Sequence, residues 1–152
     1  MYLSDITNYP IIDLKTKKIL EFDYEFKNKN DDFLPLIKQI VNNYNIIIFA
    51  TPVYWYSMSG IMKTFFDRIS DCLITEKETG RKLKSLEMAI ISCGADKALK
   101  NGFHMPFIET ARYLNMKYVA DVHCWLEGDK IPVSVKDELN TFVEIIQRGI
   151  TS

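Results

Sequence analysis

Residues 46–69 read IIIFATPVYWYSMSGIMKTFFDRI. In that one segment an aliphatic run, a Thr-Pro step, three consecutive aromatics and an amphipathic pattern follow one another. The run 46–50 is almost unbroken in apolar side chains, the composition of a strand in a parallel sheet covered on both faces. From Ile61 onward the period becomes that of a helix, with Ile61, Met62, Phe65, Phe66, Ile69, Cys72 and Leu73 on one stripe. The connecting loop, residues 51–57, leaves the carboxyl end of the strand, where ligands gather in open α/β sheets. Pro52 fixes its own φ and keeps Thr51 extended, so the loop departs in a defined direction. Tyr54, Trp55 and Tyr56 then offer ring faces and edges to a flat ligand, and the amides of a non-regular loop are free to meet that ligand's polar edge. The same aromatics would also suit a cover over the sheet end or a subunit interface.

Outward from this segment, strand and helix patterns alternate. YPIIDL (9–14), NIIIFA (45–50), MAIISC (88–93) and YVADVHCW (118–125) read as strands. Residues 46–50 and 88–91 are expected to lie side by side, parallel and buried on both faces. Asp31 and Asp32 can cap a helix carrying Phe33, Leu36, Ile37, Ile40 and Val41 on one face, with Pro35 tolerated in its first turn. Pro106 opens a pattern of Phe107, Ala111 and Leu114. SVKD (134–137) resembles a capping box before Leu139, Phe142, Val143 and Ile146. Strands separated by helices of this length make βαβ units with right-handed crossovers, so the fold class is an open α/β sheet. The charged stretches 26–32 and 75–84 read as solvated connections.

A chain of 152 residues, 47% hydrophobic, suits one domain over residues 1–152. With 19 basic against 20 acidic residues the net charge is −1, which offers neither a nucleic-acid patch nor a polybasic membrane anchor. Cys72, Cys93 and Cys124 match no zinc spacing and no disulfide framework, so reduced, mostly buried thiols and no metal site are expected. No apolar run reaches the length of a membrane span, and MYLSDITNYP lacks the regions of a signal peptide. A cytoplasmic location is the expectation.

Thr51-Pro52, Val53, Tyr54-Trp55, Ser57-Met58-Ser59-Gly60, Lys63, Phe66 and Asp67-Arg68 together resemble the signature of the NAD(P)H-dependent FMN reductase and NAD(P)H:quinone oxidoreductase group of flavodoxin-like flavoproteins. The resemblance implies a flavodoxin-like three-layer sandwich with a mostly parallel sheet, FMN as cofactor and NAD(P)H as co-substrate. It also implies a small-molecule electron acceptor such as a quinone, a nitro compound or free flavin, and a homodimer. In the family the loop matching Thr51, Pro52, Val53, Tyr54, Trp55, Tyr56 and Ser57 lies along the isoalloxazine ring. A second ring-contacting loop would correspond to Ser92, Cys93 and Gly94. Flavin carries the hydride chemistry itself, so no acid–base residue is demanded and no catalytic side chain is assigned. His104 is a single histidine near the pocket without a partner, His123 falls in a strand-like run, and Asp67-Arg68 reads as a helix-face pair.

One element of the family pattern has no counterpart. Members open with a strand and a turn of the kind SxRxxGNT, whose amides and hydroxyls cradle the FMN phosphate at a helix start. Here YLSDITNYPIIDLK aligns with the end of the first helix and the second strand, so the first strand is expected to be absent. Either the true start lies upstream, or residues 11–14 pair directly with 46–50 or a partner fills the gap. On this reading the chain holds FMN poorly. A binding module that has lost FMN and an electron carrier without nicotinamide activity are the alternative functions.

Overall fold

The computed structural model describes residues 6–150. After a short 3-10 turn at Leu14–Thr16 come α1 (Phe33–Asn43), β1 (Ile46–Pro52), α2 (Gly60–Ile74) and α3 (Lys77–Leu83). They are followed by β2 (Glu87–Cys93), α4 (Met105–Tyr113), β3 (Lys117–Cys124) and α5 (Val133–Ile150). The strands form one parallel sheet in the order β1-β2-β3. One core, on the face covered by α1, α2, α3 and α4, gathers Phe33, Ile37, Phe65, Met88, Ile90 and Phe107. The other, under α5, gathers Ala89, Val122, Leu139, Phe142 and Ile146. Helices, sheet and helix make three layers, as a βαβ succession requires.

β2 is the central strand, and Met88, Ala89 and Ile90 are fully buried between the two cores. β1 pairs with it in parallel, from Ile46 opposite Glu87 to Pro52 opposite Cys93. The expectation of burial on both faces fails for β1, where Ile46, Ile47 and Ile48 are only half-buried and Ala50 is exposed. Among the described residues no strand pairs with its outer edge. The reading of 9–14 as a strand is also overturned. Residues 9–13 are irregular, and Asp13 Oδ1 accepts the Lys15 amide at the start of the 3-10 turn. Tyr9 of that segment packs on the α5 core and Leu14 on the other, followed there by Ile19. The β2–β3 ladder slips by one residue between Met88 and Ala89, so that Ala120 and not Val119 stands opposite Ala89.

Both charged stretches do more than connect. Residues 77–83 form α3, which buries Thr79 and Leu83. A Cβ at Gly80 would stand 2.3 Å from the Cys72 carbonyl oxygen, so α3 meets α2 backbone to backbone. In the stretch 26–32, Asp31 is buried and ion-paired with Arg68. Asp67 and Arg68 are not a pair. Asp67 binds Lys63 on the surface at 2.6 Å, whereas Arg68 is fully buried and reaches Asp71 Oδ2 at 2.9 Å, the Leu20 carbonyl at 2.9 Å and the Asn28 carbonyl at 3.2 Å. Asp31 Oδ1 also accepts the Phe33 amide at 3.0 Å, the one capping bond that the Asp31-Asp32 pair gives α1. α5 begins at Val133, two residues earlier than a capping box opened by Ser134 would place it, and Ser134 falls in its first turn.

No helix among the described residues is long and apolar enough to cross a membrane. The three thiols are free, but only Cys72 is buried; Cys124 is half-buried and Cys93 is exposed. Mostly buried thiols are therefore not what the fold provides, because Cys93 ends its strand beyond the packed part of the sheet. A series of ring contacts, Phe49–Phe66, Phe66–Phe107 and Phe107–Phe103 at 4.8, 5.4 and 5.8 Å, leads from the core to the carboxyl end of the sheet.

Candidate functional site

At the end of β1 the buried Thr51 accepts the Ser59 amide on Oγ1 at 3.0 Å and donates to the Pro52 carbonyl at 3.0 Å. Ser59 caps α2, its Oγ accepting the Met62 amide at 3.3 Å. The end of the strand and the start of the helix are thus fastened together, and residues 52–58 form a closed loop. Within it Tyr54 and Ser57 exchange N–H···O bonds of 3.0 and 3.1 Å, which makes Trp55 and Tyr56 the centre of a two-residue turn. Their φ angles are 49° and 66°. Positive φ at both central positions is the type I′ turn, whose usual occupants are Asn and Gly because a Cβ there crowds the backbone. Trp55 is nonetheless 92% exposed, and Tyr54 and Tyr56 are each 62% exposed. A strained backbone that holds large rings in water has no packing reason, and strain of this kind is found where a ligand is met.

The amides of this loop are less available than the sequence suggests. Val53 N–H bonds the Cys93 carbonyl at 2.7 Å, Tyr54 and Ser57 satisfy each other, and Ser59 is taken by Thr51. These four amides are therefore already satisfied within the protein.

The facing border comes from β2, β3 and the loop after β2. Ser92 is fully buried, with Oγ 2.8 Å from His123 Nδ1, and His123 Nε2 lies 2.9 Å from the Asp96 carbonyl oxygen. A carbonyl can only accept, so Nε2 carries a proton and donates it to Asp96, while Nδ1 and the Ser92 hydroxyl share the other bond. This chain of bonds fixes the loop after β2. Gly94 leaves a gap there: a Cβ would stand 3.4 Å from both His123 Cε1 and Val53 Cβ and would fill the space between the two borders.

Between them lies a cavity of about 230 Å³, lined by Val53, Trp55 and Tyr56 on one side and by Gly94, Ala95, Asp96, Ala98, Leu99, Lys100, Phe103 and His123 on the other. Of the residues singled out in the sequence, Val53, Trp55, Tyr56 and Gly94 come together in this wall. Thr51 and Ser92 lie buried behind it, Tyr54 and Ser57 close the turn, and Pro52 and Cys93 are paired strand ends. His123 was visible in the sequence only as part of a strand; its position at the carboxyl end of that strand is the signal that could have marked it. His104 lies apart, beside a second cavity of about 430 Å³, with Nε2 3.3 Å from Asp121 Oδ1 but not aligned for a hydrogen bond.

An aromatic turn opposite a glycine gap fits the ring of a flavin, a flat group that needs a slot rather than a sphere. Among the described residues, the cavity wall includes no Ser/Gly-rich turn at a helix start that would take a phosphate.

The model of the NADPH-dependent FMN reductase family matches residues 4–130. A protein of Bacillus subtilis (strain 168), YwqN, named as an NAD(P)H-dependent FMN-containing oxidoreductase, is 29% identical over 116 residues. That match takes in 75% of this chain, and the chain spans 60% of the length of this curated relative. Among solved structures, the Trp repressor binding protein of Bacillus subtilis superposes with a TM-score of 0.59 at 24% identity, covering 75% of this chain and 73% of that one. The general stress protein 14 of Treponema denticola, solved in complex with FMN, gives a TM-score of 0.53 at 14% identity, covering 81% of this chain and 74% of that one. These structural likenesses concern the fold, which is flavodoxin-like.

Proposed function

The chain belongs to the NADPH-dependent FMN reductase family, and on that premise we propose that it is an NAD(P)H-dependent oxidoreductase whose FMN ring sits between the Trp55-Tyr56 turn and Gly94. The observation that carries this reading is the pair of positive φ angles at Trp55 and Tyr56, beside a cavity into which Gly94 puts no side chain. When bound, FMN supplies the redox chemistry, accepting hydride from a reduced nicotinamide and releasing electrons to an acceptor. The chain's part is to bind and orient. Trp55 and Tyr56 offer faces for stacking, Gly94 permits close approach, and the Ser92–His123–Asp96 bonds keep the second border in place. Residues Thr51, Pro52, Tyr54, Ser57 and Cys93 support the site from behind or beside it.

The acceptor is proposed to be a small quinone, nitro compound or free flavin, reached through the open side of the cavity. Residues 1–152 are read as one domain, supported by a single sheet with a core on each face. A homodimer in the cytoplasm completes the proposal; the half-buried isoleucines of β1 favour self-association. The test is a spectrum of the chain mixed with FMN, followed by NADPH without oxygen. A protein-shifted flavin band that bleaches supports an oxidoreductase, and a shifted band that NADPH leaves unchanged points to an electron carrier. Trp55→Ala should weaken FMN by about 1 kcal/mol or more, the scale of one aromatic stacking contact. Equal flavin affinity in wild type and Trp55→Ala would return the aromatics to a covering or interface role.

A further inference from the structure

β2 and β3 end on cysteines, and the ladder sets Cys93 directly opposite Cys124. Adjacent strands run about 4.8 Å apart, within the Cα separation of about 4.4–6.8 Å that a disulfide spans. Both side chains lie on the α5 face. Cys124 packs against the α5 core, and Cys93 follows Ile91 of that core by two residues, the period that returns a strand side chain to the same face. Ser92 and His123, one step back along the ladder, occupy the opposite face. The cysteines are also the last residues of their strands, where the loops that follow leave the backbone room to adjust.

We propose that Cys93 and Cys124 form a reversible dithiol–disulfide site, oxidised by hydroperoxides. Cys93 is exposed and meets the oxidant, whereas Cys124 is half-buried and resolves it. The Cys93 thiolate attacks one peroxide oxygen; the O–O bond breaks, hydroxide leaves, and the sulfur becomes a sulfenic acid. The Cys124 sulfur then attacks the Cys93 sulfur as the S–O bond breaks. Hydroxide leaves and takes up the proton that Cys124 gives up. In sum two thiols and one hydrogen peroxide yield one disulfide and two waters, with two electrons passing from sulfur to oxygen.

The surroundings agree with this division of labour. Burial, then neighbouring Cys93, then Glu138 push the Cys124 thiol up to about 11, so it does not meet the oxidant first. Burial, with Asp71 and Glu76, pushes Cys72 up to about 12, which keeps it out of the reaction. The Cys93 carbonyl accepts Val53 N–H at 2.7 Å and the Cys124 carbonyl accepts Gly94 N–H at 3.0 Å, so a bridge would tie together the ends of β2 and β3, which carry the border of the cavity that faces the aromatic turn. None of this depends on flavin binding, and its test stands apart from that of the proposed oxidoreductase.

The full chain is treated with hydrogen peroxide at neutral pH, its remaining thiols are alkylated, and the protein is digested for mass spectrometry. The expected result is loss of two of the three alkylatable thiols, a linked peptide joining Cys93 to Cys124, and recovery of both thiols with dithiothreitol. Cys124→Ser should instead accumulate a dimedone-trappable sulfenic acid on Cys93, and Cys93→Ser should leave Cys124 unmodified. Oxidation of Cys93 to sulfinic acid in the wild type while Cys124 stays alkylatable would overturn the proposal. So would disulfides that join two chains, or three thiols that all survive.

Discussion

Trp55 and Tyr56 sit where the backbone favours Asn-Gly, and they gain little from packing in return because both side chains are mostly in water. The double replacement Trp55→Asn with Tyr56→Gly should therefore raise the stability of the free chain, by about 1–2 kcal/mol for each relieved residue, while lowering its affinity for FMN. Urea unfolding and a flavin titration on the same sample read both effects, and a destabilised variant would mean that the turn is not strained. Arg68 and Asp31 show the opposite relation, since both are buried and each satisfies the other. Burial alone would raise the Asp31 carboxyl, but hydrogen bonds from Arg68 and from the Leu20 and Phe33 amides outweigh it and hold the group below its ordinary value of 3.8. A carboxyl depressed in the fold contributes stability that is complete above the unfolded value and lost as pH falls through the folded one. Acid unfolding of the wild type should accordingly draw on Asp31 below about pH 4. Asp31→Asn should be less stable at neutral pH, with a flatter loss of stability on acidification, as urea midpoints across that range would record.

At the scale of elements, the loop after β2 owes its position to a histidine on β3. His123→Ala would leave the fully buried Ser92 hydroxyl with only its long bond of 3.5 Å to the Val122 carbonyl and would release the Asp96 carbonyl, a loss of about 1–3 kcal/mol. Amide exchange should quicken across residues 95–103 and stay unchanged in α1, and equal exchange in both regions would show that the loop is held by other contacts. The elements themselves were largely legible in the sequence: 46–50, 88–93 and 118–124 are strands because their side chains suit a sheet covered by helices, and Phe107, Ala111 and Leu114 are buried as their spacing requires. The failures have physical reasons. YPIIDL has the composition of a strand but no ladder partner among the described residues, and composition cannot supply hydrogen bonds. Residues 77–83 look soluble because α3 buries only two side chains, and the decisive feature is Gly80, whose value lies in a close backbone approach that no local pattern encodes. Arg68 was read with its neighbour Asp67, although its partner Asp31 stands 37 positions away. In the site, the aromatic turn was legible and His123 was not, because its role arises only when β3 lies beside β2.

For the molecule as a whole, ring contacts and phosphate contacts make separable demands. The cavity wall described above includes aromatic faces but no phosphate cradle, and each charge-assisted hydrogen bond to a phosphate contributes about 1.5–3 kcal/mol. Riboflavin, which has the ring without the phosphate, should consequently bind this chain within a few-fold of FMN, as fluorescence quenching would measure. FMN bound orders of magnitude more tightly than riboflavin would locate a phosphate site in residues that lie outside the cavity wall. The slip of one residue between Met88 and Ala89 reaches across the same distance. Val119 works like an inserted letter that shifts the reading frame of everything after it on β3. With it, Val122 enters the α5 core, Asp121 stays in the water, His123 meets Ser92 and Cys124 meets Cys93. Were the ladder unbroken, with Val119 itself opposite Ala89, every later side chain would change faces, putting the Asp121 carboxylate where a core residue belongs and parting both couples at once. A single extra residue near the start of the strand thus determines which chemistry stands at its far end.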